Sequence, residues 1–172
     1  PEQILTSLPQ AINVMLDPAD CGPAVISMSQ DVQGEAYDYP EIFFEEKIHE
    51  IRRIHPDPNQ IQKAAEKLKK SKQPIVISGG GVLYSEAEEE ISTFAKKHNI
   101  PVTATVMGIG CMNKDDPYYI SAIGCLGEGS SNNLATDTDL ALAVGTKLGD
   151  FTTGSWTNFE NENFQLVSIN TS

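Results

Sequence analysis

At 172 residues the chain has room for one well-buried domain and an appendage, but not for two full domains. Hydrophobic residues at 40% and charged residues at 21% exclude a disordered or fibrous polypeptide. The formal net charge of -12, from 24 acidic and 12 basic side chains, repels a phosphate backbone and excludes nucleic acid and anionic membrane as natural partners.

No apolar run approaches the roughly 20 residues that cross a bilayer, and the opening PEQILTSLPQ has no basic stretch ahead of an apolar one. A cytoplasmic protein is expected. Cys21, Cys111 and Cys125 form no CxxC pair and leave an odd count. They are expected to be small buried thiols, and neither a disulfide framework nor a zinc site is implied.

Leu8, Ala11, Ile12 and Met15 recur at helical spacing, with Pro9 tolerated only near a helix start, so a helix ending near Leu16 is expected. Asp17-Pro18 breaks it, and Ala24 to Met28 reads as a short buried strand. One helix and one strand close no core. Leu8, Ile12, Val25 and Ile26 are therefore expected to expose apolar surface or to pack against another molecule. Residues 31 to 57 are acidic and interrupted by Pro40 and Pro56, which suits a connector held down by Tyr37, Tyr39, Phe43 and Phe44. Ile42, Lys47, Ile48 and Ile51 suggest a short helical stretch within it.

The pattern becomes regular at Pro58. Asp57 is placed to cap a helix with Pro58 at its first position, and Ile61, Ala64, Ala65 and Leu68 form its apolar stripe. Its lysines, from Lys63 to Lys72, read as a solvated face that suits the negative end of the helix dipole. Ile75 to Ile77 is a β-branched strand followed by Gly79-Gly80-Gly81. A capping box of Ser85 and Glu88 then opens a helix carrying Ala87, Ile91, Phe94 and Ala95, whose Glu86 to Glu90 cluster is a solvated first turn. Pro101 to Thr105 is a second strand. Residues 111 to 131 look irregular, and Ser130 and Ser131 read as caps for a short helix over 132 to 135. Leu140 to Val144 is a third strand, and Leu166 to Ile169 a last one after a loop. Strands alternating with helices imply a parallel sheet with right-handed crossovers. The last strand lies three residues from Ser172, so a sheet left incomplete at its C-terminal side is expected.

Little in the chain signals catalysis. His49, His55 and His98 lack metal-ligand spacing, and no GxSxG elbow occurs. The glycine turns are the one candidate. Gly79, Gly80 and Gly81 lie between a strand and a helix, where bare amides can meet a pyrophosphate, but Tyr84 stands where GxGxxG requires its third glycine. Tight turns at the carboxyl edge of a parallel sheet explain the same glycines without a ligand.

An ordered series of segments resembles the central domain of thiamine diphosphate enzymes of the acetolactate synthase and pyruvate oxidase group. The series comprises QPIVISGGG at 73 to 81, HNIPVTAT at 98 to 105, GIGCMNKDDPYY at 108 to 119, AIGCLGEGSSN at 122 to 132 and TDLALAVGTKLGDFTTGSW at 138 to 156. DCGPAVISMSQDVQ, at 20 to 33, resembles the strand that closes that group's pyrimidine-binding domain. The connector QDVQGEAYDYPEIFFEEKIHEIRR resembles a branch that hydrolyses a carbon–carbon bond of a cyclic diketone in inositol catabolism.

The resemblance implies an α/β, parallel-sheet, Rossmann-like (DHS-type) central domain over 58 to 172. A pyrimidine-domain fragment over 1 to 33 and a linker over 34 to 57 precede it. It also implies a longer, homo-oligomeric parent enzyme using thiamine diphosphate and magnesium, with this segment as its structural, assembly part. No catalytic or metal-binding residue is inherited here. The group's GDG motif is missing, since Gly149-Asp150 continues with Phe151 and Asn132-Asn133 precedes it, and the cofactor-activating glutamate belongs to a segment outside this chain. Flavin-using relatives hold flavin at turns that correspond to Gly79, Gly80, Gly81, Thr105, Met107, Gly108, Gly145, Thr146 and Asp150. A flavin- or nucleotide-binding module is accordingly the rival expectation, with an acetolactate synthase-like sibling as a further one and a free-standing hydrolase or deacetylase the remotest.

Overall fold

The computed structural model describes residues 1 to 171. They fall into two compact units, Pro1–His55 together with Thr171, and Pro56–Asn170.

The first unit holds one helix, α1 (Ile4–Met15), which ends at Leu16 as its spacing predicts. Pro9 lies in the interior of α1 and not at its start, so the helix begins a full turn earlier than the proline rule suggests. The break after it is an Asx turn, in which the Asp17 carboxylate accepts the amides of Ala19 and Asp20, both at 2.8 Å. The expected strand at Ala24 to Met28 does not form. The segment is extended but belongs to no sheet, and Val25 is 90% exposed. A strand needs a ladder partner, and this unit supplies none. No described residue of the unit is buried.

Its connector contains two 3₁₀ turns, Val32–Gly34 and Glu41–Phe44; of the helical stretch expected from Ile42, Lys47, Ile48 and Ile51, Ile42 lies in the second turn and the other three are not helical. Its aromatics pack on one another: Tyr39 stacks on Phe43 with centroids 5.6 Å apart and meets Tyr37 edge-on at 4.9 Å.

The second unit is a five-stranded, wholly parallel sheet with helices on both faces, a Rossmann-like α/β fold. Helix α2 (Pro58–Lys70) starts as expected, with Asp57 accepting from the amides of Asn59 and Gln60. Its stripe is only partly covered, because Ala64 and Leu68 are half-buried while Ile61 and Ala65 face solvent. One lysine of the outer face is tied down, with Lys67 Nζ donating to Gln165 Oε1 at 3.1 Å.

Strand β1 (Pro74–Ser78) runs into α3 (Gly80–Tyr84), a five-residue helix that the glycines disguised as a plain turn. Ser85 closes α3, so it does not cap α4 (Glu88–His98); Ala87 takes that place with no side-chain bond. Glu86 sits between the two helices at φ 54°, outside the first turn assigned to it from the sequence. Helix α4 ends on Asn99 in the left-handed conformation, with Phe94 and His98 packed ring to ring at 4.8 Å.

Strand β2 (Val102–Ala104) follows, and then β3 (Tyr119–Ala122), inside the stretch expected to be irregular. Helix α5 (Gly129–Asp137) places Ser130 and Ser131 within the helix, not at its cap, which is Glu128. Then come β4 (Leu140–Val144), the four-residue α6 (Asp150–Thr153) and β5 (Gln165–Ile169).

Spatial order is β3-β2-β1-β4-β5. Period-2 alternation sends Val76, Val102, Ala104, Leu140 and Leu142 into a core with Leu68 of α2, Val82 of α3 and Ile91 and Ala95 of α4. The opposite face carries Ile75, Ile77 and Ala141 against Ala135 of α5 and the half-buried Leu134, Phe159 and Phe164. Because β1 and β4 are buried on both faces, they read as continuous apolar runs.

Candidate functional site

The chain leaves β1 toward β2 and β3 on one side and reaches β4 and β5 on the other, so strand order reverses between β1 and β4. In parallel sheets, the carboxyl ends of strands flanking such a reversal diverge and leave a crevice. Here that crevice is a cleft of about 390 Å³, walled by the turns after β1, β2 and β4.

The turns are joined backbone to backbone. The amide of Gly79 donates to Val144 O at 2.8 Å, that of Gly81 to Gly145 O at 2.8 Å, and that of Val82 to Gly79 O at 3.1 Å. Thr105 donates its amide to Ser78 O at 2.9 Å, and its side chain accepts from the Gly108 amide at 3.1 Å. Gly145 has φ +59°, and a Cβ there would lie 2.7 Å from Gly81 Cα. One on Gly108 would lie 2.2 Å from Ser78 O. Close approach of three turns therefore accounts for these glycines.

Of the residues singled out from the sequence, Gly80, Gly81, Thr105, Met107, Gly145 and Thr146 line the cleft. Gly79 and Gly108 are buried behind it, and Asp150 opens α6 away from the lining. Val106 and Lys147 line it from within the turns Thr105 to Gly108 and Gly145 to Asp150 that the resemblance points to, whereas Tyr84, Ile123, Phe151 and Thr152 also line it and were not singled out as site residues. The glycine signal had no means of reporting them, because which side chains rim a cleft depends on strand order.

The titratable groups elsewhere are structural in their contacts. The Asp116 carboxylate accepts from Lys96 Nζ at 2.9 Å, Ser92 Oγ at 3.0 Å and the Tyr118 amide at 3.1 Å, tying α4 to the approach to β3. The lysine bond, then the amide, hold its carboxyl below the usual carboxylate value. At the amino edge, burial pushes the Asp139 carboxyl upward, but bonds from Ser71 Oγ and the amides of Lys72 and Gln73 outweigh it and leave the value lowered.

Cys111 is buried beside Ser78, and burial raises its thiol value; Cys21 and Cys125 are exposed, contrary to the expectation that all three are buried. Burial also raises the phenol of Tyr119. Among the described residues no three His, Cys, Asp or Glu side chains converge as a metal site, and no helix is long and apolar enough to cross a membrane.

These features define a Rossmann-like domain with a glycine-closed carboxyl edge. The family model for the thiamine pyrophosphate enzyme central domain matches residues 61–172, and the chain belongs to that family. It is 41% identical, over all 172 residues, to 3D-(3,5/4)-trihydroxycyclohexane-1,2-dione hydrolase 1 of a Bacillus cereus strain. The 3D-(3,5/4)-trihydroxycyclohexane-1,2-dione hydrolase of Clostridium tetani is likewise 41% identical over 172 residues. The chain spans 27% of the length of each of these relatives.

Proposed function

We propose that the Pro56–Asn170 unit is a non-catalytic spacer in a longer thiamine diphosphate-dependent hydrolase. That enzyme would break a carbon–carbon bond of trihydroxycyclohexane-1,2-dione in inositol catabolism, as a cytoplasmic homo-oligomer. Thiamine diphosphate and magnesium are held by other segments. Residues 1 to 33 form the tail of the pyrimidine-binding domain, and 34 to 57 the connector.

The observation that carries this reading is the pairing of an open parallel sheet, whose β1 and β4 are buried on both faces, with turns whose amides donate to the carbonyls of neighbouring turns. A rigid wedge of this kind fixes the spacing of its neighbours without touching substrate. Identity of 41% over all 172 residues, 27% of the diketone hydrolases' length, supports the substrate assignment.

Thiamine diphosphate with magnesium, titrated calorimetrically into the isolated chain and into the longer polypeptide, tests it. Heat is expected from the longer polypeptide only. Saturable binding by the isolated chain would sink the spacer reading.

A further inference from the structure

We draw no further inference here: the strongest candidate, the carboxyl-edge cleft where the amides of Gly80, Val106, Met107, Thr146 and Lys147 have no acceptor among the described residues, coincides with the turns at which flavin-using relatives hold their cofactor and so restates an established property of the family.

Discussion

The amide of Gly81 donates to the carbonyl of Gly145 at 2.8 Å, and neither residue has room for a side chain, since a Cβ on Gly81 would lie 2.6 Å from Gly145 Cα. The first helix after β1 is thus seated directly on the turn after β4. Gly145→Ala adds a methyl group at φ +59° against this seat, and is expected to destabilise the fold by about 2–4 kcal/mol, strain and overpacking together. Gly129→Ala is the matched control. Its Cβ meets open space at the start of α5, so a change within about 0.5 kcal/mol is expected. Urea unfolding of the two variants measures both.

Asp116 should dominate part of the acid limb of stability. Its ordinary carboxyl value is 3.8, and the bond from Lys96 lowers it in the folded protein, so the unfolded chain binds that proton more readily. The contribution is whole above about pH 5 and is lost as pH falls through the lowered folded value. Asp116→Asn is expected to lower stability by about 1 kcal/mol at pH 7, with the difference from the parent shrinking toward zero as pH falls below 3.8. Unfolding curves at pH 7, 4.5 and 3 would show that convergence, and a gap that widened toward acid would contradict it.

The three cysteines should separate by reactivity. Cys21 and Cys125 are exposed, whereas Cys111 is buried with its thiol held protonated by burial. A disulfide reagent at pH 8 should therefore modify two thiols quickly in the native protein and the third only on unfolding. Fast modification of all three would show that the segment after the β2 turn opens.

Strand and helix were legible wherever burial imposes a period over several residues. Ile75 to Ile77 and Leu140 to Val144 are covered on both faces and announce themselves as β-branched or apolar runs, and Asp57-Pro58 marks the start of α2 through its cap chemistry. Where burial is partial, the signal fades. β3 is an edge strand with a register shift between Val102 and Ala104, and its Tyr-Ile-Ser-Ala shows no alternation. Helices α3 and α6 have five and four residues, too few for a 3.6-residue period. Ala24 to Met28 failed for the opposite reason, since it carries strand composition in a unit with no partner strand.

At the cleft, glycines marked the three turns, but the purpose of those glycines was not legible. Gly108 is required by Ser78, 30 positions earlier, and Gly145 by Gly81, so the constraint acts between residues that only the fold brings together. Tyr84, Val106 and Phe151 carry no motif, and their grouping follows from strand order alone.

The spacer account stands or falls on turnover of trihydroxycyclohexane-1,2-dione in the presence of thiamine diphosphate and magnesium. The account predicts ring opening by the longer polypeptide and none above background by the isolated 172-residue chain. Catalysis by the isolated chain would contradict it.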